Sequence, residues 1–186
     1  MPKRTFGDWE IASTRISHVS NDSLTISGLI TEFIWLGYLD VMINEMCEGS
    51  LKGSTNINIF PRITMLSRLW MMHAYEVMRS LDEFDGEYLP NGNLKHGRHK
   101  NSGGDMANFA TGRFKALKTK LGKIRMPMAK QENPGGPGSG SAYFEIKNAG
   151  EINISFVSGG EEISREEMAQ EVLDTVNCYE RNRKRP

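Results

Sequence analysis

Cysteine is nearly missing from this chain. Cys47 and Cys178 are the only two among 186 residues, and they stand far apart. That count excludes a disulfide-stapled secreted scaffold and a multi-cysteine zinc module. Long apolar runs are missing too. The richest stretch, Leu24 to Cys47, is punctuated by Thr25, Ser27, Thr31, Glu32, Asp40, Asn44 and Glu45, which leaves Phe33 to Leu39 as its longest unbroken run. Carboxylates at membrane depth are costly, so no membrane partner is expected. The opening MPKRTFGDWE has basic residues but no apolar segment behind them, and no cleaved signal peptide is expected. The resulting expectation is a soluble, cytoplasmic protein with reduced thiols.

Signatures of common chemistry are equally scarce. The glycine-rich run at 135–140 lacks a Lys-Ser/Thr pair, contains prolines and leads into a strand pattern, so it is no phosphate loop. No Gly-x-Ser-x-Gly elbow is present. His96 and His99 have no acidic or cysteine ligand beside them and lie among cations that oppose a divalent ion, and His18 is isolated. Neither a metal nor a cofactor is expected. The carboxylate pairs Glu161-Glu162 and Glu166-Glu167 stand near a helix start, where the dipole accounts for them.

What is present is helical periodicity. The composition is 38% hydrophobic and 25% charged, and a chain of this length can bury roughly 70% of its unfolded surface. Residues 1–20 show no clear pattern. Asn21, Asp22 and Ser23 offer capping oxygens before a helix at about 24–48 that is apolar nearly all round. Ile26, Leu29, Ile30, Phe33, Ile34, Gly37 and Val41 share its broadest face. Pro61 suits the first turn of a second helix to about Phe84, whose stripe is Ile63, Leu66, Trp70, His73, Ala74, Val77, Leu81 and Phe84. These two helices are expected to pack antiparallel, burying Phe33, Trp70, His73 and Val77. A turn-rich segment, 85–104, precedes a third helix at about 105–124, with Met106, Phe109, Ala110, Phe114, Leu117, Leu121 and Ile124 as its stripe.

A Gly/Pro/Ser connector at 132–141 separates this helical part, 1–131, from a C-terminal part, 142–186, expected to dock on it. There, 143–147 and 151–157 alternate as a β-hairpin around Asn148-Ala149-Gly150, with Ile152, Ile154 and Phe156 on one face. Ser164-Arg165-Glu166-Glu167 fits a capping box and opens the last helix. The predicted fold is α+β, mainly α: three long helices in a bundle, then a β-hairpin and a C-terminal helix.

Zero net charge conceals three blocks. Residues 1–90 carry 7 basic and 12 acidic side chains, residues 91–130 carry 10 and 1, and residues 131–186 carry 6 and 10. Lys95, Arg98, Lys100, Arg113, Lys115, Lys118, Lys120, Lys123, Arg125 and Lys130 make the middle block a candidate for contact with the phosphates of RNA or DNA, or with an acidic protein surface. The competing account sets the block against the chain's own acids, such as Asp82, Glu83, Glu161 and Glu162. Aromatic interleaving is thin, so base stacking is not expected. The main functional expectation is a non-enzymatic interaction protein.

Two alternatives stand beside it. Arg68 and His73 form an Arg-x4-His spacing that resembles the Arg-x4–6-His motif of the HEPN superfamily of helical-bundle proteins, which include dimeric RNases. The resemblance implies metal-independent RNA cleavage, with His73 as acid and base and Arg68 stabilising the phosphorane charge. The residue after the arginine is usually polar in that family and is Leu69 here. The other alternative is a structural or oligomerisation subunit. Eleven methionines, with Met42, Met46, Met71 and Met72 off the main stripes, suit an adaptable interface and a homodimer through helix 24–48.

Overall fold

The computed structural model describes residues 3–16, 23–51, 59–84, 113–130, 142–146, 152–158 and 161–177. Among the described residues, five helices and three strands run α1 Phe6–Ile16, α2 Ser23–Leu51, α3 Ile59–Phe84, α4 Arg113–Lys130, β1 Ala142–Ile146, β2 Ile152–Ser158, β3 Glu161–Ser164 and α5 Arg165–Asn177. The fold is α+β and mainly α, with a helical bundle, a hairpin and a C-terminal helix. The segment 85–104, the connector 132–141 and the hairpin loop 148–150 lie outside the described residues.

The first element, α1, has no counterpart among the expected helices. Asp8 closes its first turn: its carboxylate accepts from the Thr5 backbone N–H at 2.7 Å and from the Thr5 hydroxyl at 2.9 Å. Trp9, Ala12, Ser13 and Ile16 then form a short buried stripe. About two turns of helical period are a weak signal, and packing on α2 supplies what propensity does not.

α2 and α3 run antiparallel. Trp70 Nε1 donates to the Leu36 carbonyl at 3.0 Å, and His73 lies against Glu32 one turn along. Phe33, Trp70 and Val77 are buried as expected. His73 is not: its side chain keeps 28% exposure at the α2–α3 rim. It sits about 60° round the helix from Trp70, at the edge of the stripe where a polar ring reaches acceptors and water. The buried seam of α2 is Ile26, Leu29, Phe33, Leu36, Asp40, Ile43 and Cys47, which repeats at steps of three and four. Ile30, Ile34 and Val41, grouped with the inner face from sequence, are half-buried. By length and composition Ile26–Gly49 could cross a membrane, with a mean hydropathy of 1.5. In this fold one side of that stretch packs against α1 and α3.

α4 packs on α3, and Phe114, Leu117, Leu121 and Ile124 are its buried positions. It extends to Lys130 rather than ending near Ile124, carrying Pro127 in its last turn; the span 105–112 lies outside the described residues. The sheet has order β1-β2-β3, antiparallel throughout, with Phe144 opposite Ile154 and Phe156 opposite Ile163. β3 is a strand beyond the expected hairpin. Only four residues long, it gives little period to read before the helix starts. Ser164 ends β3 and caps α5, accepting from the Glu167 N–H at 3.2 Å and donating to Asn153 at 2.9 Å. α5 packs on α1, on β2 and on α4, closing one continuous core.

Candidate functional site

The sequence points to the basic block of 91–130 as a contact surface. Lys95, Arg98 and Lys100 lie outside the described residues, as do the side chains of Arg113, Arg125 and Lys130. The four lysines of α4 that are described divide unevenly. Lys118 pairs with Asp82 on α3, Lys120 with Glu171 on α5 at 2.7 Å, and Lys123 with Glu161 on β3 at 2.7 Å. The Lys123 hydrogen bond holds the Glu161 carboxyl below its usual value. Lys118, assigned to the outer helical side from sequence, is 28% exposed against an Asp82 that is 17% exposed, because the α3–α4 contact wraps past the apolar stripe. Lys115 faces solvent. The acids of three elements thus meet the cations of one.

Arg68 and His73 are not brought together within the protomer. Five positions along a helix rotate a side chain by about 140°, and Arg68 is exposed while His73 turns to α2. His73 Nε2 lies 2.9 Å from both the carbonyl oxygen and a carboxylate oxygen of Glu32. Both neighbours are acceptors, so Nε2 carries a hydrogen and is engaged as a donor.

A buried charge cluster is the feature that sequence reasoning missed. Asp40, fully buried in the α2 seam, accepts from Arg4 Nε at 2.8 Å and Arg4 Nη2 at 3.0 Å, and from Trp9 Nε1 at 3.2 Å. Arg165 at the start of α5 also donates to Asp40, and to the side-chain carbonyl oxygen of Asn44. Burial pushes the Asp40 carboxyl up, yet the Arg4 hydrogen bond and the Arg165 charge outweigh it and hold it below the usual carboxylate range. Cys47, one turn beyond Asn44, has its thiol pushed up to about 11, chiefly by burial. A buried, ion-paired carboxylate with every oxygen committed is a clamp and offers no open position for substrate. One signal points to it in the sequence: Asp40 occupies a core position of a three-four repeat, a place where an acid needs a buried partner.

Two surfaces remain. A groove of about 460 Å³ between α4 and α5 is lined by Ala116, Leu117, Glu167, Gln170, Glu171, Asp174 and Thr175. Among the described residues no group of three His, Cys, Asp or Glu side chains is arranged to hold a metal. The second surface is apolar. Trp35, Tyr38 and Met42 of α2 and Met65 and Leu69 of α3 are exposed, at 39% for Met42 and more for the others; Ile11 is exposed too, about 140° round α1 from Phe6. Phe6 stacks on Tyr38 at 4.1 Å and Trp35 leans on Tyr38 at 5.8 Å, so these rings form one platform. Of the methionines singled out from sequence, Met71 is buried core, Met46 and Met72 are half-buried, and Met42 faces solvent. No protein family, curated protein or solved structure matches this chain.

Proposed function

We propose that this protein acts by binding another protein through the apolar face of α1, α2 and α3, and that it carries out no chemistry of its own. One observation carries the reading: Trp35 is 57% exposed on a helix whose opposite face is fully packed. Soluble monomers rarely leave a contiguous aromatic and methionine patch in water, and such patches mark interaction sites. Trp, Tyr and Met are also the residues enriched in interface cores. The same reading takes the protein as soluble and cytoplasmic, in keeping with a free, buried Cys47 and an α2 whose inner half is packed against its own chain.

The test is a photoreactive side chain placed at Trp35 in cells, with Thr119 on the exposed side of α4 as control. A defined protein adduct at 35 and none at 119 is the expected result. Equal labelling at both positions, or none at 35, overturns the proposal.

A second reading keeps the basic segment as a contact for nucleic acid or an acidic protein. It is supported by ten cations against one acid over 91–130 and by the exposed Lys115. On this reading, affinity for RNA or DNA falls with salt by about 0.9 log units per log unit for each duplex phosphate contacted. Lys115→Glu then weakens binding with the melting temperature unchanged. Lys118→Glu, which loses Asp82 and repels it, costs about 1 kcal/mol, a drop of about 2–4 °C at this size. Absence of salt-sensitive binding removes the second reading. The HEPN-type RNase reading has less in its support, since His73 Nε2 is spent on Glu32 and Arg68 lies round the helix from it.

A further inference from the structure

We infer that the partner on the apolar face is a second copy of this chain, docked with α2 of each protomer against α3 of the other. The inference rests on the proposal that this face binds protein, and adds which protein and in what register.

Charge supplies the first reason. α2 carries Glu32, Asp40, Glu45 and Glu48 and no Lys or Arg, and Glu32 and Glu45 are exposed. The first half of α3 carries Arg62 and Arg68 and no acid; Arg62 is exposed about 20° round the helix from His73, on the flank next to α2, whereas Arg68 is exposed on another side. One face therefore presents an acidic helix beside a basic one. A surface with both signs in separate strips is complementary to itself when turned over, the requirement of a two-fold interface.

Register follows from the antiparallel pairing. Glu32 stands level with His73, and Leu36 with Trp70. Continuing at about 1.5 Å per residue, with the numbers of one helix rising as those of the other fall, puts Trp35 level with Trp70 and Met71 and within about 3 Å of the level of Leu69, and brings Met42 and Glu45 within about 3 Å of the levels of Met65 and Arg62. A two-fold axis parallel to the helices, lying in the contact plane, keeps each level and exchanges the two helices. Trp35 then faces Leu69 of the other copy, Met42 faces Met65, and Glu45 faces Arg62. Apolar meets apolar at two levels and acid meets base at the third. An axis across the helices would set α2 on α2 and bring its glutamates together without a counter-charge.

Area is sufficient. The exposed length of α2 from Gly28 to Glu45 is about 26 Å, and two helices about 10 Å wide give about 500 Å² per protomer. Specific interfaces begin near about 1,000 Å² in total.

Sedimentation of the full chain tests the inference. The wild type is expected to be a dimer at about 100 μM. Trp35→Glu should give a monomer with an unchanged melting temperature, because the position is outside the core. Glu45→Arg and Arg62→Glu should each weaken the dimer by about tenfold or more by setting like charges together, and the double variant should recover most of that loss. A wild-type monomer overturns the inference, as does a pair of charge variants that fails to rescue. If the wild type is monomeric but the crosslinker at 35 captures a different protein, the second copy is wrong and the binding face stands. If the monomer instead floats with lipid vesicles carrying anionic headgroups, the second copy and the protein-binding reading both fall. A dimer that survives both Trp35→Glu and Leu69→Glu uses another surface and overturns the inference, while the crosslink at 35 still decides the protein-binding reading.

Discussion

Asp40 concentrates most of the energetic consequence of a single side chain in this protein. It is the one acid in the α2 seam, and two arginines from distant parts of the chain converge on it. Removing one member of a buried ionic cluster leaves the others uncompensated, so Asp40→Asn should destabilise by about 3–5 kcal/mol at neutral pH. The pH dependence has a definite sign. The folded carboxyl titrates below its unfolded value of about 3.9. Its contribution is therefore full above that value and is lost as pH falls through the lower folded one. Urea unfolding at several pH values should show the midpoints of the wild type and the Asp40→Asn variant converging in acid. A gap that stays constant to about pH 3 or below would mean that the cost is one of shape and not of charge. Two arginines against one aspartate leave this cluster net positive, and Asn44 offsets part of that by accepting from Arg165.

At the scale of elements, helix-to-helix distance is set by side-chain size at the crossing points. Gly37 is such a point. A Cβ built there would lie 2.6 Å from Trp9 Cβ and Cγ, atoms too close to the α1 backbone to swing away. Gly37→Ala should therefore force α1 off α2 and cost about 1–3 kcal/mol as overpacking. Gly28, on the same helix, has nothing within 4 Å. There the same substitution should stabilise by roughly 0.5–1 kcal/mol through helix propensity alone. Thermal melts of the two variants should move in opposite directions, and parallel shifts would refute the α1–α2 contact. The element boundaries teach a related lesson. The capping box at Ser164 is legible because its atoms are local, and α5 begins at the next residue. α1 escapes notice, although Asp8 reaches back to the Thr5 N–H across its first turn, because a helix of 11 residues offers only four buried positions. β3 is shorter still, and no period can be drawn from four residues.

Across the whole molecule, both terminal elements are joined to the middle of the chain. Arg4 and Arg165 meet at Asp40, α5 packs on α1, and the hydrophobic core runs unbroken from Trp9 to Val176. Calorimetry of the full-length Trp35→Glu variant, chosen to keep association out of the measurement, should accordingly show one transition with equal calorimetric and van't Hoff enthalpies. Two resolved transitions would mean that the residues before and after 132–141 unfold as separate units. Neighbouring residues were enough to specify the fold class, the two long helices, the paired strands with Ile152, Ile154 and Phe156 on one face, and the cap of α5. These depend on periods of about two and 3.6 residues and on hydrogen bonds between near positions in the chain. The segregation of charge into blocks is written there as well. Where that charge goes is settled by the assembled fold. Lys118, Lys120 and Lys123 find acids 36 to 51 residues away, Arg165 finds an aspartate 125 residues away, and no local pattern encodes such a distance. For the same reason the apolar helix α2 does not disclose from sequence which half is core. With apolar residues on every side its periodicity cancels, and the choice falls to Trp9, Trp70 and Arg165, which occupy one side and leave Trp35, Tyr38 and Met42 to the other.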